Sequence, residues 1–160
     1  MGDAFGNKAT GTLPHGVTGF YAAGDSPLAE IDLTSFRRRC FESAQRLKGR
    51  VISKDDGRRA SQNYYAATIE LPDRSAAIVI NAFVPIVGFA KANEPIFEFL
   101  DLPELAELFV ASGEVEVWDR AALERPVTAD DMRASAPAEL EQVKYWRPRR
   151  VGDVIFNSWD

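Results

Sequence analysis

The chain has 160 residues, 46% of them apolar, with 24 acidic and 19 basic side chains for a net charge of −5. That length suits one domain able to bury roughly 70% of its unfolded surface, the apolar content excludes a disordered chain, and the charge argues against nucleic acid. A single histidine and a single cysteine exclude an internal disulfide, common zinc sites and most histidine-dependent catalytic templates.

Residues Met1 to Gly16 hold four glycines and little periodic apolar content, which predicts a flexible N-terminal arm over 1–16 and a single folded domain over 17–160. His15 falls in that arm and is expected on the surface. The start of the chain has no apolar core of the kind a signal peptide needs. Together with the lone Cys40, this fits a reducing cytoplasm. Val17 to Ala23 is read as a first strand, followed by turn chemistry at Gly24-Asp-Ser-Pro27.

Asp32 is a suitable N-cap. After it, Leu33, Phe36, Cys40, Ala44 and Leu47 recur at spacings of three and four, predicting a helix with one apolar stripe that Gly49 stops. Cys40 lies on the stripe, so it is expected to be a buried small hydrophobe and not a reactive thiol. Short strands are predicted at Arg50–Ser53 and Asn63–Leu71, with a turn at Lys54–Gly57 and a hairpin turn at Pro72–Ser75. Ala76 to Val84 is apolar on both faces, as in a central strand covered on both sides. Asn81 within it needs buried partners, and Pro85 ends or bends it. The apolar run Ala76–Ala90 is too short for a membrane span of about 20 residues.

Leu102–Ser112 reads as a helix with Asp101 as cap, Pro103 in the first turn and Gly113 as its stop. A short strand is expected at Val115–Trp118. Thr128-Ala-Asp-Asp131 resembles a capping box opening a short helix to Ala134, and Ala138–Tyr145 is a further helix. The predicted fold class is therefore α+β, an antiparallel sheet packed against a few helices.

Charge is unevenly spread. Residues 76–143 hold 13 acids and 4 bases, a balance of −9; the remainder holds 11 acids and 15 bases, a balance of +4. Glu114 and Glu116 share a strand face, with Asp119 following, and Asp130 and Asp131 sit near a helix start. Such carboxylates could serve a glycosidase or a Mg²⁺ site, but solvated surface acids that keep the protein soluble are the preferred reading; the functional alternative is an acidic surface that steers toward a basic partner. No nucleotide, hydrolase or metal motif occurs, so no cofactor and no metal is expected. The arginine clusters at 37–39, 58–59 and 147–150 are separated and match no nucleic-acid motif.

The C-terminal stretch is the most aromatic. Val154 to Trp159 reads as a last strand. Either Trp146 and Trp159 close the core, or Tyr145, Trp146, Trp159 and Asp160 form an exposed recognition patch. The pattern Tyr145-Trp146-x-Pro148-x-x-Val151-Gly152-Asp153-x-Ile155-Phe156-Asn157-x-Trp159-Asp160 resembles the ending of a group of small bacterial proteins, uncharacterised or of the immunity type, which neutralise a cognate polymorphic toxin. It covers roughly the last tenth of the chain and carries over no site residue.

These readings predict a non-catalytic binding protein that neutralises a toxin by steric and electrostatic occlusion. The expected partner is a basic toxin domain, not nucleic acid or membrane. The expected partner-binding residues are Glu114, Glu116, Asp119, Asp130, Asp131, Trp146, Trp159 and Asp160. The alternatives are a small-ligand-binding or carboxylate-dependent enzyme domain with a pocket between helix and sheet, and a structural module of a larger complex.

Overall fold

A computed structural model of the chain describes residues 11–54, 58 and 60–159. Most of the expected 54–57 turn and Asp160 lie outside the described residues.

Five strands form one sheet in sequence order: β1 (Arg50–Lys54), β2 (Tyr64–Glu70), β3 (Ser75–Asn81), β4 (Ile86–Ala90) and β5 (Glu116–Val117). The first four are an antiparallel meander. The two-residue β5 adds parallel to β4, so the sheet is mixed at that edge. The hairpin expected at Pro72–Ser75 joins β2 to β3 in register, with Glu70 opposite Ser75. The fold is α+β.

Strand alternation separates two cores. Tyr65, Ala67 and Ile69 of β2, Ala76, Ile78 and Ile80 of β3, and Val87 and Phe89 of β4 face one side. There they meet Phe36, Cys40 and Ala44 of helix α1 (Leu33–Arg46) and Leu105, Ala106 and Phe109 of helix α2 (Pro103–Val110). Each such large side chain, fully buried, contributes about 1.5–3 kcal/mol. On the other side, Val79, Ile86 and Ala90 pack against Leu123 of helix α3 (Arg120–Glu124) and Val151, Val154 and Ile155 of helix α5 (Val151–Ile155). Helix α4 (Pro137–Trp146) packs Val143 against that second core. As a strand covered on both faces, β3 is buried from Ala76 through Asn81. The Asn81 amide donates to the carbonyls of Val17 (2.8 Å) and Ile155 (2.7 Å), and its oxygen accepts from Phe83 and Val84 N–H.

Asp32 caps α1 as expected, accepting from Ser35 N–H. The helix end differs. Lys48, not Gly49, takes the left-handed conformation (φ 61°), and Gly49 N–H bonds back to Ala44 O at 2.7 Å. Gly49 is needed for a different reason: a Cβ there would lie 2.2 Å from Glu70 O. Asp101 does not cap α2, whose N-cap is Leu102. Its carboxylate instead accepts from Arg120 N–H at 2.8 Å, linking it to the start of α3. Only half of the expected capping box at Thr128 forms: Thr128 N–H donates to the Asp131 carboxylate, but the Thr128 hydroxyl donates to that carboxylate too and Asp131 N–H bonds to Thr128 O, so the segment opens only a 3₁₀ turn over Asp130–Met132, not a helix to Ala134.

Three expectations are corrected by the structure. Residues 11–16, the described part of the expected arm, are docked. Leu13 is fully buried and its N–H bonds to Asp131 O at 2.8 Å. Val17–Ala23 is not a strand. Turns closed by Val17 N–H to Pro14 O and Gly19 N–H to Gly16 O replace it, with Gly16 at φ 88° and Gly19 at φ 85°. The tail is not a last strand either. Val151, Val154 and Ile155 are buried at helical spacing as α5, and the chain extends only beyond it. Gly152 lets α5 seat, since a Cβ there would meet Phe99 at 2.4 Å.

Candidate partner-binding site

The N-terminal turns and α4 hold each other through one carboxylate. Glu139, in the first turn of α4, has its side chain fully enclosed. It accepts from Gly16 N–H (2.9 Å), Thr18 N–H (3.1 Å), the Thr18 hydroxyl (2.7 Å) and Ala136 N–H (3.1 Å). A buried carboxylate is tolerated when its lone pairs are filled in this way. Exposed His15 stands beside it, with Nδ1 3.7 Å from Oε1.

This anchor sets Phe20 at one end of a surface row of rings and α4 at the other. Arg147 ends α4 in a left-handed conformation (φ 50°). The chain returns through α5, where the Asp153 carboxylate grips the Arg150 guanidinium at 2.7 and 3.1 Å. Buried Asn157 then fixes the exit. Its amide donates to the carbonyls of Thr18 and Val154, and its oxygen accepts from Trp159 N–H. Trp159 is thereby laid between Phe20 and Trp146.

The ring centroids of Phe20 and Trp159 are 6.2 Å apart, and those of Trp159 and Trp146 are 6.3 Å apart with planes at 6°. Tyr145 meets Trp146 edge-on at 5.2 Å. Tyr145 is 76% exposed and Trp146 is 37% exposed, and Leu140 on the same helix is 44% exposed. Phe20 and Trp159 are half-buried, so the row is bared to solvent only at its Tyr145–Trp146 end, where the rings forgo burial they could have gained, a property that binding surfaces share. The C-terminal motif therefore divides its labour. Val151, Gly152, Ile155, Phe156 and Asn157 are buried, and Tyr145, Trp146 and Trp159 carry the rings.

The acidic residues are dispersed by comparison. Glu114 pairs with Arg39 of α1 at 2.9 Å, on the sheet side opposite α5. Glu116 accepts from the Trp118 indole at 2.9 Å. Asp119 caps α3 through Ala122 N–H. Asp131 is fully buried and gripped at both oxygens by Arg125 (2.6 and 2.9 Å), so it has no surface to offer a partner. Burial pushes its carboxyl up. Arg125 and the Thr128 donors outweigh that and hold it below the usual carboxylate range. Asp130 is exposed, 3.7 Å from Arg133. Asp160 lies outside the described residues. Among the described residues no group of three or more His, Cys, Asp and Glu is placed to hold a metal ion, and no helix is long and apolar enough to cross a membrane.

Two contributors escaped the sequence reading. Phe20 was placed in a strand, and Glu139 had only the signature of an ordinary first-turn acid. Comparison with known protein families, curated proteins and solved structures finds no match.

Proposed function

We propose that the protein is a non-catalytic binding protein of the immunity type, which blocks a toxin domain by seating its aromatic row on it. The observation that carries this reading is the row Phe20–Trp159–Trp146–Tyr145, fixed from beneath by Asn157 and Glu139 and exposed at its Tyr145 end. Rigid aromatic side chains lose little entropy on binding, and they dominate interface energetics. The resemblance of the same C-terminal stretch to immunity proteins supplies the partner class. The electrostatic share of occlusion falls to Asp130, the exposed acid of the 3₁₀ turn that Leu13 joins to this layer. Asp131 is spent on Arg125, and Glu114 faces the opposite layer.

The test is growth rescue. Cells expressing a toxin domain taken from a reading frame adjacent to this chain's should survive when the wild type is co-expressed. Trp146→Ala with Tyr145→Ala, shown to be folded by circular dichroism, loses the rescue. Undiminished rescue by that variant at matched expression removes the row from the interface, and failure of the wild type to rescue removes the immunity reading.

A further inference from the structure

The chain is acidic overall, yet residues 141–153 hold four bases and two acids. Arg150 is spent inside the fold: it grips Asp153, donates to Phe97 O at 3.0 Å and lies 4.9 Å over the Phe99 ring. Lys144, Arg147 and Arg149 are exposed, and among the described residues none of them stands in an ion pair or over a ring. Glu141, one turn before Tyr145, is the exposed acid of the stretch.

These cations gather at the bared end of the aromatic row. Lys144 and Arg147 flank Tyr145 and Trp146 directly in the chain, and Arg149 follows two residues later. Tyr145 is 76% exposed and meets Trp146 edge-on. The Trp146 indole N–H is already taken by Gln142 Oε1 at 3.1 Å, so what Trp146 has left to offer is ring surface. Cations interleaved with exposed rings suit a single strand of nucleic acid, whose phosphates lie against the cations and whose unpaired bases stack on the rings. An acidic protein segment would satisfy the cations and leave the rings without planar partners. A duplex keeps its base faces covered and offers this surface only phosphates.

We propose that the end of α4 and the turn after it, Lys144 to Arg149, bind a short single-stranded stretch of nucleic acid. Bases stack on Tyr145 and Trp146, and phosphates lie against Lys144, Arg147 and Arg149. The net charge of −5 opposes the approach of a polyanion, so the contact is weak and favoured at low salt. The site shares its rings with the immunity reading but does not rest on it, and no toxin enters its test.

The probe is a labelled eight-nucleotide oligothymidylate titrated with the full chain and followed by fluorescence anisotropy at about 20 mM salt. Saturable binding with a Kd at or below about 100 μM is expected. Three phosphate contacts on a single strand predict a slope of about −2 for the logarithm of the binding constant against the logarithm of salt concentration. Arg147→Ala with Arg149→Ala should bring that slope to about −0.7. Tyr145→Ala should weaken binding by about fivefold or more at unchanged slope, whereas Tyr145→Phe, which keeps the ring, should bind as the wild type does. All three positions are exposed, so native circular dichroism is expected of the variants. No saturable binding at millimolar protein, wild-type affinity in Tyr145→Ala, an unchanged salt slope in the arginine variant, or equal binding of a duplex of the same length would each overturn the proposal. Tighter binding of an octaglutamate peptide would overturn it too, and would assign the surface to an acidic protein segment.

Discussion

Asn63 and Asn157 hold each other from both sides: Asn157 N–H donates to the Asn63 side-chain oxygen at 2.6 Å, and Asn63 N–H donates to the Asn157 carbonyl at 3.0 Å. The two lie 94 residues apart, one at the entry to β2 and one in the tail. The Asn63 amide also reaches the Val17, Val154 and Ile155 carbonyls. Buried asparagines thus tie the sheet, the N-terminal turns and the C-terminal tail into one polar seam. Inside a low-dielectric core such a seam specifies one arrangement, because every alternative strands a polar group.

Asn157→Ala removes donors to Thr18 and Val154 and the acceptor for Trp159 N–H. The expected loss is about 2–3 kcal/mol, with Tm lower by about 4–12 °C for a chain of this size. Urea and thermal unfolding check it. A loss under about 0.5 kcal/mol would show that the seam is not stabilising.

Much of this fold was legible and much was not, for identifiable reasons. The α1 stripe was readable because Phe36, Cys40 and Ala44 answer to one core with one period. The two-faced β3 was readable because both its neighbours are apolar. The N-terminal turns were not, since their order comes from Glu139, more than a hundred residues away. The tail was misread because Val154 to Trp159 satisfies a period of two as well as it satisfies a helix. The deciding signal was Val151 with Val154 and Ile155, three and four residues on. In the site itself, Trp146 and Trp159 were legible from composition, but their stacking with Phe20 depends on a return of the chain that local pattern does not encode.

The Asp131–Arg125 pair predicts a pH response. A carboxyl held below its unfolded value of about 3.9 stabilises the fold above about pH 4, and that contribution is lost as pH falls through the depressed folded value. Wild-type stability should therefore drop below about pH 4. In Asp131→Asn the acid-sensitive part should flatten, while stability at pH 7 falls by about 3–5 kcal/mol, the range for breaking a buried pair. Parallel acid limbs in the two proteins would place the sensitivity elsewhere.

Cys40 should be a silent thiol. Burial pushes it up to about 12, only partly opposed by nearby Arg39, so thiolate is scarce at pH 8 and the sulfur is enclosed. An aromatic disulfide reagent should label it only as the chain opens, and faster in Asn157→Ala in step with that variant's lost stability. Full labelling of native protein within minutes would contradict its placement on the buried face of α1.

The last prediction separates aromatic from acidic contributions to binding. Anchors that desolvate on docking act mainly on dissociation, whereas rim charges act on association and its salt dependence. Trp146→Ala should raise the dissociation rate from the proposed toxin partner by about 30-fold or more, equivalent to about 2 kcal/mol, with little change in association. Asp130→Lys should slow association at low salt and lose that effect at high salt. Glu114→Lys should do neither, because its carboxylate is paired with Arg39 on the far side of the sheet. Stopped-flow binding at two ionic strengths measures all three. If Glu114→Lys slows association as much as Asp130→Lys, the steering field extends around the sheet edge and the docking surface is wider than the aromatic row.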